Sequence, residues 1–237
     1  MVENLPGELT PENLLVLYED NHLIGVHKPA GVLVQGDKSG ATHLMELVKQ
    51  YIKRRYQKPG DVFLGLVHRI DRPVSGVVVF ARTSKAASRL CTQWRSREVE
   101  KIYWALVHGR LQPANGTLRS YLRKGSRKVF VGSEGEQASR EAILSYRTIS
   151  GKRGLSLIEI HLHTGRKHQI RVQLAEAGCP ISGDWKYGSA AFDRKEIRLT
   201  AHSLTFVHPT RGEKITIESP APEWALEFLD STSPHPD

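Results

Sequence analysis

His68-Arg69-Ile70-Asp71-Arg72-Pro73-Val74-Ser75-Gly76-Val77-Val78-Val79-Phe80-Ala81 changes character halfway. Residues 77–81 are a continuous apolar run, of a length that suits a strand buried on both faces. Residues 68–76 are polar and broken by Pro73 and Gly76, so they read as a loop feeding that strand. Working outward, Ser84 is placed to cap a helix that runs to about residue 97, and 99–107 reads as a second strand. Upstream, 14–18 and 23–27 are short β-type runs joined by Glu19-Asp20-Asn21, a hairpin that Lys28-Pro29-Ala30-Gly31 brings to a stop. Residues 42–55 place Leu44, Leu47, Val48 and Tyr51 at helical spacing.

Downstream, 111–140 mixes turn residues with Arg119, Arg123, Lys124, Arg127 and Lys128, and reads as a hairpin or long loop projecting from the core. Residues 155–162 alternate as a strand. Residues 167–177 follow as a helix with Ile170, Leu174 and Ala177 on one stripe and Gly178 as its stop. Strands are expected at 198–204 and 213–218, and a closing helix at 221–229 with Pro222 in its first turn. There is no internal repeat and no heptad. Strands outnumber helices and do not alternate strictly with them, which points to an α+β domain: a central mixed, mostly antiparallel sheet with flanking helices. The expected organisation is one domain over 12–230, with a lead-in over 1–11 and a frayed tail over 231–237.

The chain has 237 residues, of which 39% are hydrophobic and 25% charged. That length supports a core without disulfide or metal staples. No apolar run approaches the ~18–20 residues of a membrane span, and Met1-Val2-Glu3-Asn4 has no secretory character. Cys91 and Cys179 form neither a disulfide framework nor a zinc site, and both are expected to be buried in a protein of the reducing cytoplasm. The net charge is +9, but the first 20 residues carry five acids and no Lys or Arg, and 221–237 carry four acids and again none. The 200 residues between hold 34 bases against 16 acids. A central excess of 18 positive charges is the electrostatic footprint of a polyanion binder.

Three stretches have residues suited to chemistry. In 68–76, Asp71 lies among Arg69, Arg72 and His68. Cationic neighbours hold a carboxylate ionised, so it is either a nucleophile or base inside a basic cleft or a turn carboxylate paired with arginine. Thr164-Gly165-Arg166-Lys167-His168-Gln169-Ile170-Arg171 is an anion site at a helix start, the source of a cation for a remote carboxylate, or an ordinary exposed basic helix start. On Lys101-Ile102-Tyr103-Trp104-Ala105, Tyr103 is either a stacking platform for a base or a core residue. His161-x-His163 has no Cys or acidic partner at metal-ligand spacing. The sequence also has no Walker pattern and no G-x-S-x-G.

Taken together and in this order, these stretches resemble the motifs of the RluA-type RNA pseudouridine synthases. Tyr18-Glu19-Asp20-Asn21 with Val26-His27-Lys28-Pro29-Ala30-Gly31 is similar to the family's N-terminal hairpin motif, and Gly183-Asp184 with Tyr187-Gly188 extends its third motif. The resemblance runs over about residues 12–222. Pro73-Val74, Ile70 and His27 stand where acid-threonine, leucine and asparagine are commoner. The resemblance implies an isomerase that uses no cofactor and no metal. Asp71 would be the catalytic aspartate, Tyr103 the base platform, and Arg171 the partner of Asp71. Arg69 would enter the RNA in place of the flipped uridine. Arg166, His168 and the basic run Arg123, Lys124, Arg127, Lys128 are the candidate RNA contacts. The implied partner is structured RNA, ribosomal or transfer, bound by a monomer and without a membrane. Too few residues precede the first hairpin for the S4 domain that many relatives carry, so substrate selection is expected from the catalytic domain. The rival reading is a non-catalytic RNA-binding or RNA-folding factor on the same scaffold, which would have no need of Asp71.

Overall fold

The computed structural model describes residues 9–37, 40–126, 128–188 and 196–229. Eleven strands among them form one sheet, ordered β1 (Val16–Glu19), β2 (Leu23–Lys28), β4 (Ser75–Ala81), β10 (Leu199–Val207), β5 (Glu100–His108), β9 (Leu155–Leu162), β8 (Arg140–Lys152), β6 (Asn115–Lys124), β7 (Val129–Gly132). β3 (Gly65–Leu66) pairs with β4, and β11 (Lys214–Glu218) with β10. Every pairing is antiparallel except β4 with β10, where Ser75 meets Thr200 and Gly76 meets Ala201. This is the mixed, mostly antiparallel α+β sheet the sequence implies.

All seven residues of β4 are buried, because the sheet is covered on both faces there. Val78 and Phe80 pack with Leu44, Val48 and Ile52 of α1 (Leu44–Arg55). Val77 and Val79 pack with Ala86 and Leu90 of α2 (Ser84–Ser96). α3 (Gln169–Glu176) adds Ile170 and Leu174 to the first face, and α4 (Glu223–Leu229) puts Ala225 and Phe228 against Leu106 and Leu157. Thr83 caps α2 by accepting from the Ala86 N–H at 3.2 Å, one residue before the serine expected to do so.

The segment 111–140 contains the expected hairpin, β6 with β7, but not where expected. It does not project from the core: β6 lies along β8 from Asn115↔Arg147 to Leu122↔Arg140, and β7 folds back on β6 as the sheet's last strand. β8, 13 residues long, has no counterpart in the sequence reading. Cys179 is buried, but Cys91 is only half-buried. The lead-in up to residue 8, the tail from residue 230 and Arg127 lie outside the described residues.

Candidate active site

The loop carrying Asp71 is held from below by a lysine. Lys28 ends β2 and is fully buried. Its ammonium donates to the carbonyls of Pro29 (2.9 Å), Val32 (2.8 Å) and Arg72 (3.1 Å). Three inward-facing carbonyls need donors, and one ammonium supplies them. Gly31 and Arg72 lock the same crossing: the Gly31 N–H donates to the Arg72 carbonyl, and the Arg72 Nε to the Gly31 carbonyl, both at 2.8 Å. Burial pulls the Lys28 pKa down to about 7, against the pull of the Asp71 charge. The Val74 N–H donates to the Asp71 carbonyl at 3.1 Å and closes the turn. Two residues on, Gly76 has φ +119°, and a Cβ there would stand 2.2 Å from the Ala201 carbonyl oxygen. Only glycine lets β4 come this close to β10.

Asp71 and Tyr103 open into one cleft of about 510 Å³. Tyr103 is buried on β5, and burial together with the Asp71 charge raises its pKa. The phenol is therefore neutral at ordinary pH. The other wall is the start of α3. Arg171 is buried there and donates through Nε and Nη2 to the two carboxylate oxygens of Asp184, both at 2.7 Å. Its Nη1 stands 3.7 Å from Asp71 Oδ2. The guanidinium fork that the resemblance directs at Asp71 thus rests on Asp184, and Asp71 receives charge from Arg171 without its bidentate hydrogen bonds. Asp184 also accepts from the N–H groups of Lys186 (3.1 Å) and Tyr187 (3.3 Å), which fixes the 184–187 turn.

His168 precedes α3 with φ 54° and ψ 20°, a left-handed conformation that histidine, with asparagine and aspartate, adopts more readily than other side chains. Its Nε2 lies 3.7 Å from Asp71 Oδ2 and its Nδ1 2.7 Å from the Tyr187 hydroxyl. The Tyr187 oxygen already accepts the Val129 N–H at 2.9 Å, which leaves its proton to be donated to Nδ1. The imidazole proton then sits on Nε2, facing Asp71. Burial lowers the His168 pKa to about 4; the Asp71 charge opposes this and the Arg171 charge adds to it. The ring is a neutral donor, turned inward rather than exposed as a phosphate contact. Two glutamines dock the helix: Gln169 bonds Thr164 and the Ile143 carbonyl, and Gln173 bonds the Leu118 and Ala142 carbonyls.

The cleft gathers Asp71, Tyr103, Arg171, Arg69, Arg166 and His168 from the sequence candidates. It does not include the basic hairpin. Arg123 is paired with Glu136 at 2.9 Å, Lys124 is exposed, and the Lys128 ammonium stands 5.9 Å from the Tyr187 ring centre. Sequence reasoning missed Lys28, which it treated as the residue that ends a strand. It also missed the partnerships of Asp184 and Tyr187, and three cations that line the cleft: Arg95, Arg97 and Lys101.

A family model described as RNA pseudouridylate synthase matches residues 22–176. Ribosomal large subunit pseudouridine synthase C of Buchnera aphidicola subsp. Schizaphis graminum is 35% identical over 236 residues, covering 93% of this chain and 72% of that one. An uncharacterized RNA pseudouridine synthase of Bacillus subtilis, YhcT, is 32% identical, covering 93% and 73%. Among solved structures, human RNA pseudouridylate synthase domain containing 4 superposes with a TM-score of 0.77 at 23% identity, covering 91% of this chain and 93% of that one, a likeness of fold.

Proposed function

This chain belongs to the RNA pseudouridylate synthase family, and we propose that it isomerises uridine in structured RNA with Asp71 as the nucleophile. The observation that carries this reading is the placement of the Asp71 carboxylate in the cleft, between a neutral aromatic ring and a cation that does not clamp it. A uridine inside a helix is out of reach, so the base must be flipped out at a cost of a few kcal/mol. Asp71 then attacks C1′ and displaces the base at N1, or adds to C6 of the ring and labilises the same bond. The detached base turns over and C5 bonds to C1′. The carboxylate is released, the C5 proton leaves, and N1 ends protonated. Tyr103 supports the base from below, a contact worth about 1–3 kcal/mol. Its raised pKa makes the hydroxyl a donor rather than a ready base. His168 presents Nε2 to Asp71 at 3.7 Å, Arg171 places its positive charge at the same distance, and Arg69 is exposed at the cleft, where it would fill the space left by the flipped nucleotide.

Relatives whose names specify a substrate are named for the ribosomal large subunit, which makes large-subunit ribosomal RNA the first substrate to test and transfer RNA the second. We take residues 12–230 as the catalytic unit, acting as a cytoplasmic monomer. Its single sheet from β1 to β11 supports one domain.

The test is pseudouridine mapping in total RNA from cells with and without the protein, followed by Asp71→Asn in vitro. The substitution keeps the side-chain shape and removes the nucleophile. Conversion is expected to fall by more than about a hundredfold, with RNA binding retained. Conversion by Asp71→Asn near the wild-type rate would refute the assignment.

A further inference from the structure

We propose that Arg95, Arg97 and Lys101 form a phosphate-binding track for the RNA strand that flanks the target uridine. The proposal rests on the reading above that the Asp71 cleft works on RNA, and it names where that RNA is held. The three cations come from the end of α2 and the start of β5 and line the same cleft as Asp71.

They combine a place in the lining of the Asp71 cleft with the lack of a carboxylate partner. Among the described residues, no carboxylate lies within ion-pair distance of any of the three. Along β6 and β8, by contrast, Arg119 pairs with Glu141, Arg123 with Glu136 and Arg147 with Glu159, at 2.9, 2.9 and 3.0 Å. Glu100, beside Lys101 in sequence, is on the other face of β5, near His161. A paired arginine releases little counterion on meeting RNA, whereas an unpaired one can neutralise a phosphate fully. Both arginines of the hairpin that are described are thus already paired, whereas the arginines and lysine at the end of α2 and the start of β5 are not.

Two further features support the track. Lys101 is partly buried with Arg97 beside it, and burial together with that charge lowers its pKa. Crowded, partly desolvated cations repel one another until an anion enters. Arg97 also ends α2 at φ 62°, a position where glycine is the unstrained residue. An arginine there has a backbone cost, partly offset by its charge at the negative end of the helix dipole. Two neutral rings line the same cleft: His68 stacks on Trp94 with ring centres 4.9 Å apart, and its Nε2 accepts the Val79 N–H. A strand with its phosphates on the three cations has these rings for its sugars and bases.

The test compares two substitutions that each remove one charge. Arg97→Gly keeps the fold, because glycine suits φ 62°. Arg147→Gln removes a cation already paired with Glu159. Binding of a short transcript carrying the uridine that the wild-type protein converts is measured by fluorescence anisotropy across a potassium chloride series. Arg97→Gly is expected to reduce the slope of log affinity against log salt by about 1, and Arg147→Gln to change it by much less than that. Combining Arg97→Gly with Arg95→Gln and Lys101→Gln is expected to reduce the slope by about 2–3 and weaken binding at least about tenfold. A wild-type slope in both Arg97→Gly and the triple variant would overturn the track. So would a larger slope loss from Arg123→Gln with Lys124→Gln, which would move the phosphates to the hairpin. If the wild-type protein converts no uridine in ribosomal or transfer RNA, it is the functional reading that fails; if it converts uridine and the triple variant binds as wild type, the track alone fails.

Discussion

Asp71 Oδ2 has two cleft neighbours at the same distance, Arg171 Nη1 and His168 Nε2, both at 3.7 Å. Each neighbour is held by a tighter partner behind it at 2.7 Å, Asp184 for the arginine and Tyr187 for the histidine. The carboxylate thus sits in a positive field without a short hydrogen bond from either group that would have to break before it attacked. Tyr187→Phe tests this arrangement. It removes the acceptor of the Val129 N–H, at a cost of about 1–3 kcal/mol of stability, and frees the His168 ring to rotate away from Asp71. Single-turnover conversion at saturating RNA should fall about tenfold or more, as expected when a group that sets the attacking geometry drifts by an ångström. A rate within a factor of two of wild type would mean that the His168 orientation is irrelevant to the reaction. Asp71, Tyr103 and Arg171 were legible in the sequence because each lies in a recognisable string. Which carboxylate takes the arginine fork was not legible, since Asp71 and Asp184 are both acids in such strings and only the folded chain sets their distances. Lys28 was hidden for a different reason: a lysine is normally read as exposed, and the three carbonyls that retain it come from two separate loops.

At the scale of elements, the approach of β4 to β10 decides where the Asp71 loop can lie. Gly76→Ala would drive a methyl group into the Ala201 carbonyl and force a side chain to accept φ +119°. Overpacking and backbone strain cost about 1–3 kcal/mol each, so urea unfolding should show a loss of about 2–6 kcal/mol. A loss below 1 kcal/mol would mean that the two strands can part without consequence. β4 was legible as a continuous apolar run, α1 by the helical spacing of Leu44, Leu47, Val48 and Tyr51, and α2 by a capping residue at its start. β6 was legible only as one arm of a possible hairpin: most of its residues are exposed or half-buried, with Arg119, Arg123 and Lys124 among them, and so charged a strand reads as a loop even though it lies between β8 and β7. β10 was recognised as a strand, but its place between β4 and β5 was not. That follows from which edges remain unpaired, and periodicity carries no information about edges.

Across the whole molecule, two half-buried imidazoles link stability to pH. Burial lowers His68 to about 3, with the Lys101 charge adding to it, and His168 to about 4, from an ordinary value of 6.5. Between those values and 6.5 the unfolded chain binds protons that the folded chain refuses, so stability falls as pH drops through that window. Asp20, held at about 2 with two backbone N–H groups and the Tyr18 and His208 side chains offsetting its burial, loses its contribution only below its ordinary 3.8. The urea midpoint should therefore already be lower at pH 4.5 than at pH 6.5, and an equal midpoint would show that neither imidazole is protected. The sheet order carries a further consequence. β10 joins two groups of strands, β1-β2-β4 on one side and β5-β9-β8-β6-β7 on the other. Asp71 leads into the first group, while Tyr103, His168 and Arg171 belong to the second. On the ribosome, a nascent chain that has passed residue 176 has made all four of these side chains but not the strand that brings them together. Until β10 emerges it has two open strand edges, the whole of β5 on that side and the start of β4 at Ser75 and Gly76. Such edges invite pairing with other chains, so the interval before residue 207 is translated is when this protein most needs a chaperone and cannot yet act on RNA.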